Sequence, residues 1–343
     1  SEGKAELQRL SQINTDWFDT LLRNNLYHRH NVSIKGGNKL SSFYISGNYS
    51  YQGGRIEGNT KQRMGLRLNL AQQLGKIGYF MLSLTGSYTK SKTPNGSTND
   101  PTSLVYQLNP YEQKTGRLWS YPGQTYNDLT HQYQSESSDK SAGASASFSL
   151  KPFKGLDIAA IVGLDFLLNE GHQFTPSTAY SEIHSGAPEI ERGIYAQHKN
   201  TTSNLTTNIR ATYNHTFAEK HDLTLGLNTD YYLTNVSDEL LRGYGVGEIN
   251  SASAINQSIT SGRKPYISAP KDKSAQIGFG FVGGYTYNNL YDAYASYKLD
   301  GSSILPRDRR WNTAWAVGLG WTPSNYPFLK GNKVLTRLNL KGS

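Results

Sequence analysis

Three places along the chain hold residue types that do chemistry in other proteins. His28 and His30, in "HRH", stand at i and i+2 and would share one face of a strand. A metal site needs at least a third ligand, and the sequence sets none beside them, so a solvated pair is expected. "GFGFVG", from Gly278 to Gly283, fits G-x-G-x-x-G. That pattern cradles a pyrophosphate when a strand leads into it and a helix leads out. Here the glycines sit inside an alternating stretch, which reads as one continuous strand facing a lumen. Asp157 and Asp165 share a strand face, but eight strand residues span roughly 26 Å. The carboxylates of a glycosidase lie about 5–9.5 Å apart, so this pair cannot work together. There is no G-x-S-x-G, P-loop or H-E-x-x-H segment. The expectation is no catalytic residue, no metal, no cofactor and no enzyme.

Binding chemistry is better represented. The stretch 93–140 is long and polar, and it carries Tyr106, Tyr111, Trp119, Tyr121, Tyr126 and Tyr133. A connection of that length is usually functional or disordered. Aromatic faces suit sugars and peptide backbones alike, so Trp119, Tyr121, Tyr126 and Tyr133 are the candidate contacts for a ligand or a lid. Packing of loop on loop would use the same residues.

The elements that must position these loops are strands. In "WNTAWAVGLGW", Trp311, Trp315, Val317, Leu319 and Trp321 share one parity, and Asn312, Ala314, Ala316, Gly318 and Gly320 the other. Successive side chains of a strand point to opposite faces, so one face is apolar and the other small or polar. The same alternation recurs at Phe43–Tyr51, Met64–Leu70, Phe80–Tyr88, Ala142–Leu150 and Leu156–Leu168. Weaker copies follow near 204–217, 221–235, 275–288, 290–300, 311–322 and 333–342. With 30–36, about twelve strands are expected.

Short connections at 36–39, 74–78, 152–155, 218–221 and 288–289 alternate with long polar ones at about 53–59, 93–140, 169–200, 236–272 and 300–310. All tight turns therefore lie at one end of the sheet and all long loops at the other. Outer-membrane barrels have this asymmetry, with short periplasmic turns and long extracellular loops. Lipid also demands it of a sheet that it close on itself. The reading is all-β, a transmembrane antiparallel β-barrel fragment. Trp311, Trp315 and Trp321 are the expected membrane-interface aromatics. Arg63, Arg67, Arg210, Asp230 and Lys298 fall on the lumen parity as a hydrated wall of mixed charge.

Composition agrees. Hydrophobic residues are 36% of 343, and no apolar run reaches the length of a transmembrane helix. Aromatics reach 12%, with 24 Tyr and 34 Gly, which disordered chains lack. The net charge of +9 comes from scattered Lys and Arg with no stripe, so no nucleic-acid partner is expected. Without cysteine there is neither a disulfide scaffold nor a thiolate metal site.

"NTDWFDTLLR" (14–23), "HNVSIKGGNKLSSFYISGNYSYQGGRIEG" (30–58) and "YKLDGSSILPRDRRWNTAWAVGLGWTPSNYPFL" (297–329) resemble the barrel of SusC-like TonB-dependent transporters of Bacteroidetes. In "DGSSILPRDRRW", Ile304, Leu305 and Pro306 stand where the family commonly has an Arg-Phe pair. The resemblance implies an outer-membrane barrel of 22 strands, of which this chain holds about twelve. It implies import of an oligosaccharide or oligopeptide with a SusD-like surface lipoprotein, driven by TonB through a plug domain that this sequence lacks. On that basis residues 1–343 form part of the barrel, with 1–29 an extracellular loop and 30–343 strands and loops among outer-membrane lipid. The N-terminus shows no leader pattern and the C-terminus stops within an alternating stretch, so the chain is expected to be part of a longer one. A passive porin-like or structural barrel is the alternative.

Overall fold

The computed structural model describes residues 1–343 apart from 1, 57, 94–100, 127, 128, 130–132, 254, 256–261, 330–335 and 337. Strands dominate it: β1 (Tyr27–Gly37), β2 (Ser41–Gly53), β3 (Thr60–Leu74), β4 (Gly78–Thr93), β5 (Gln134–Leu150), β6 (Leu156–Thr175) and β7 (Ile194–Phe217). These continue as β8 (His221–Tyr244), β9 (Tyr266–Ser268), β10 (Lys271–Tyr287), β11 (Tyr291–Ser302), β12 (Trp311–Trp321) and β13 (Leu340–Gly342). All thirteen belong to one antiparallel sheet in which each strand pairs with its neighbours in sequence, while β9 branches off β8. Consecutive antiparallel pairing requires a reversal after every strand, and the tight ones are built locally. At Asn288-Asn289 both residues take left-handed backbone (φ 51 and 56), and the Leu290 amide donates to Tyr287 at 2.9 Å. These two residues and Leu290 make a three-residue connection between the paired Tyr287 and Tyr291, and asparagine tolerates the left-handed backbone it needs. Ala218-Glu219 makes the same turn between β7 and β8 with φ of 51 and 58.

Paired residues of adjacent strands lie on the same face, so the register carries face identity across the sheet. Val32 lies opposite Gly47, then Leu66, Gly86, Ala142 and Phe166. At the other side Trp315 lies opposite Tyr297, then Phe281 and Leu227. One face is thus continuously apolar over the whole sheet, and it is bare: Val32 is 75% exposed, Leu66 71%, Trp315 73% and Leu319 71%. Among the described residues no second layer covers it. A sheet that leaves its greasiest face uncovered has lipid as its solvent. The opposite face carries Ser, Thr, Asn, Arg and Asp.

Two aromatic belts bound the apolar face. At the tight-turn end, Tyr213, His215, Phe217 and His221 stack in sequence, with Phe217 and His221 5.2 Å apart and 6° from parallel. Tyr285 and Tyr287 extend the row. At the long-loop end, His28 stacks on Tyr51 at 5.4 Å and His30 on Tyr49 at 6.5 Å. The two histidines are therefore part of an aromatic cluster rather than a free solvated pair. Trp311 and Trp321 end β12 on opposite sides of the apolar band, about 34 Å apart along the strand. Trp315 sits between them, opposite Tyr297, inside the band rather than at its edge.

Several strands run past the apolar band at the long-loop end. β7 and β8 each have 24 residues, against the 9–11 or so that span a bilayer. β5 starts at Gln134 rather than near 141, and β6 continues to Thr175 rather than 168. Beyond the band the outward face becomes Lys90, Lys92, Glu136, Lys140 and Glu170, joined by ion pairs such as Lys90–Glu136 at 3.2 Å. Alternation vanishes there because both faces meet water, while the hydrogen-bond ladder continues.

Candidate functional site

The described N-terminal residues and the described residues 101–126 and 129 of the connection between β4 and β5 form a cap with its own core. Helix α1 (Glu2–Leu10) is exposed and α2 (Trp17–Leu21) is buried on one side; α3 (Pro101–Gln107) lies in the connection. Asp16 caps α2, its carboxylate accepting from the amides of Phe18 and Asp19 at 2.8 and 3.2 Å. Trp17, Leu21, Leu104, Val105, Leu108, Leu118, Tyr126 and Leu129 pack together. Glu112 is buried, but its carboxylate accepts from the Asn109 amide at 2.7 Å and from the Ser120 amide and hydroxyl at 2.5 and 3.0 Å. A buried carboxylate with three donors is a clamp on the loop around it.

The four aromatic candidates separate in this cap. Tyr126 is fully buried, its ring 6.2 Å from that of Trp17, so it builds the core and offers no surface to a ligand. Trp119 is exposed at 54%. The Tyr121 ring meets Tyr180 edge-on at 5.0 Å, which links the cap to the β6–β7 connection; its hydroxyl donates to Gln107, and burial pushes its phenol up. Tyr133 is half-buried just before β5, and burial raises its phenol as well. The structure therefore brings Tyr121 and Tyr126 into one packed unit and leaves Trp119 outward. It adds an exposed pair, Phe18 and Tyr106, whose rings meet edge-on at 5.6 Å. Phe18 carries no signal in the sequence, because its exposure depends on α2 turning Trp17 inward.

A second cluster pins the β6–β7 and β8–β9 connections. Glu182, buried in the short helix Tyr180–Ile183, accepts from the Gly193 amide at 2.9 Å and pairs with Arg263 at 3.0 Å. Phe174, Tyr195 and Val246 pack alongside. Loops held this way form a shaped mouth.

Below the mouth, the inward face of the sheet is polar. Asn208 and Asp230 are hydrogen-bonded, Ser83 donates to Asn69 at 2.9 Å, and Lys298 pairs with Asp300 at 3.0 Å. Glycines on this wall let neighbouring side chains lie flat: Tyr294 occupies the space a Cβ at Gly318 would need, and Asn228 that at Gly280. The G-x-G-x-x-G glycines lie within β10, between β8 and β11, with no helix after them. Asp157 pairs with Lys151 at 3.1 Å and lies eight residues along β6 from Asp165. Among the described residues no group of three potential metal ligands occurs.

An uncovered apolar outer face, two aromatic belts, a polar inner wall and loops sorted by length define an outer-membrane β-barrel sheet. The chain is 24% identical to the TonB-dependent receptor SusC of Bacteroides thetaiotaomicron over 97% of its length, covering 34% of that receptor. It is also 24% identical to the TonB-dependent receptor P39 of Formosa agariphila, covering 97% of this chain and 32% of that protein. The sheet superposes on a structure of the RagAB peptide transporter with a TM-score of 0.65, 19% identity and coverage of 94% of this chain and 37% of that one. A second RagAB structure, of the importer in its closed-closed state, gives 0.66 over 96% of this chain. No protein-family model matches. The chain is similar to the barrel region of SusC/RagA-type TonB-dependent receptors and spans about a third of the length of the curated relatives it matches.

Proposed function

We propose that the complete protein imports a large polar nutrient across the outer membrane, with energy from TonB and with a SusD-like lipoprotein as a lid. The observation that carries this reading is the pairing of a folded, pinned mouth with a polar inner wall on a sheet whose outside is lipid-facing. An open porin has no need of a cap with its own core. The likeness to the RagAB peptide transporter favours an oligopeptide over an oligosaccharide as cargo. Residues 1–26 and the 94–133 connection then lie on the extracellular side, and the barrel uses no covalent chemistry. Trp119 and Tyr121 contact cargo or lid at the mouth, Tyr133 stands at its edge, and Tyr126 supports them from the core. Phe18 and Tyr106 add an aromatic surface of the kind a lid covers. Trp311 and Trp321 anchor the two interfaces.

The test is uptake of labelled peptides by cells that carry the complete receptor, with and without TonB. Uptake that needs both supports the reading. Equal uptake without TonB, together with steady ion conductance of the purified receptor in bilayers, contradicts it and favours a passive pore.

A further inference from the structure

The charges on the inner wall are sorted. The first four strands contain no Asp or Glu on either face. Their register turns five cations inward: Arg29, Lys35, Lys61, Arg63 and Arg67. The inward aspartates, among them Asp139, Asp157, Asp165, Asp230, Asp292 and Asp300, all belong to β5–β11. Four of these aspartates have partners of their own. Asp139 accepts from Asn169, Asp230 from Asn208, Asp157 pairs with Lys151 and Asp300 with Lys298. Among the described residues none of the five cations has an ion pair, and Arg29 has only Asn31 as a side-chain partner, at 3.3 Å.

Three of them rim one cleft of about 570 Å³. Arg29, Arg63 and Arg67 line it with Tyr44, Asn48 and the serines between, and no carboxylate faces into it. The nearest inward carboxylate in that row is Asp139, two strands beyond Arg63 and held by Asn169. Arg29 and Arg63 both lie opposite Ser50, so their Cα atoms are about 10 Å apart, two strand spacings. Arg67 stands four residues along β3 from Arg63, roughly 13 Å. Carboxylates three or four residues apart on an extended peptide have that separation. Guanidinium is the side chain that grips a carboxylate with two parallel hydrogen bonds. A wall of one sign also concentrates the opposite charge beside it.

We propose that the inner face of β1–β4 is a carboxylate-binding surface with its centre at Arg29, Arg63 and Arg67, and that it selects acidic peptides as cargo. The inference rests on the import reading above and adds the charge of the cargo. To test it, the complete receptor is purified, incubated with a defined peptide mixture spanning both signs of net charge, washed, and its bound peptides identified by mass spectrometry. Wild type should enrich peptides rich in Asp and Glu by at least about five-fold, since each charge-assisted contact contributes on the order of a several-fold factor. Arg63→Gln with Arg67→Gln should abolish the enrichment, and Arg63→Lys with Arg67→Lys, which keep the charge without the fork, should restore part of it. Rising salt should weaken it. Unbiased binding by wild type, or enrichment unchanged in the Gln variant, overturns the proposal while leaving peptide import intact. A Gln variant that becomes leaky to ions with unchanged peptide bias assigns the arginines to another part of the receptor and also overturns it. Failure to retain any peptide sinks the peptide reading and this inference together.

Discussion

The indole nitrogen of Trp17 donates to the carbonyl oxygen of Asn109 at 2.9 Å, across 92 residues of chain. This bond and the stacking of Trp17 on Tyr126 join the N-terminal segment to the loop between β4 and β5. Trp17→Ala removes a buried aromatic from a small core, a loss of about 3–5 kcal/mol. The expected outcome is rapid proteolytic cutting within 94–133 while the barrel stays resistant. Trp17→Phe should give an intermediate result, because it loses the hydrogen bond and part of the packing.

Glu112 closes the same cap by accepting three hydrogen bonds. Glu112→Ala takes from the Asn109 and Ser120 amides the buried carboxylate that both donate to, at a cost of about 1–3 kcal/mol. Hydrogen exchange at 109–121 should speed up, with exchange in β6–β8 unchanged. Unchanged exchange at 109–121 would show that the clamp has no mechanical role.

The two faces of the sheet should respond oppositely to one substitution. Leu66→Lys puts an ammonium on the lipid face, costing about 2–4 kcal/mol near the midplane. Ser145→Lys puts the same group on the inner wall, where water and Asp165 on the neighbouring strand receive it. Heat-modifiable gel mobility should report poor assembly of the first and normal assembly of the second.

The Ala218-Glu219 turn uses left-handed backbone without the residues that favour it. Replacing it with Asn-Gly relieves about 1–2 kcal/mol of strain per residue. Refolding into detergent micelles should then reach a higher folded fraction, at unchanged peptide binding.

At the mouth, Trp119→Ala with Tyr121→Ala should lower cargo or lid affinity while leaving barrel assembly unchanged. Tyr126→Ala should instead loosen the cap, since its ring is in the core. Equal effects of both changes on proteolysis would deny Trp119 and Tyr121 a contact role.

The middle of every long strand was legible in the sequence because lipid enforces an apolar residue at every second position. Leu66, Leu164 and Trp315 lie on the face that alternation assigned them. Strand ends were not legible, since past Lys140 and Leu168 both faces meet water and hydrogen bonding alone extends the ladder. The helices around Trp17 and Leu104 escaped for another reason. Short helices owe their stability to tertiary packing rather than propensity, and α2 has only five residues. The aromatic richness of 93–140 was visible, but which ring turned inward was not. That division between Tyr126 and Trp119 is set by Trp17, far away in sequence. The sorted charges of the inner wall require the register, because Arg29 and Arg63 become neighbours only through Ser50.

The central claim is that odd and even positions of these strands meet different solvents. It is tested most directly by spin labels placed one at a time from Met64 to Leu70 of the complete receptor in lipid; this chain has no cysteine to interfere. Accessibility to oxygen, which dissolves in lipid, and to a water-soluble nickel chelate is then measured. The expected result is strict alternation: oxygen reaches 64, 66, 68 and 70, and the chelate reaches 65, 67 and 69. Equal accessibility of both sets, or chelate access at 66 and 68, would contradict a lipid-facing barrel wall.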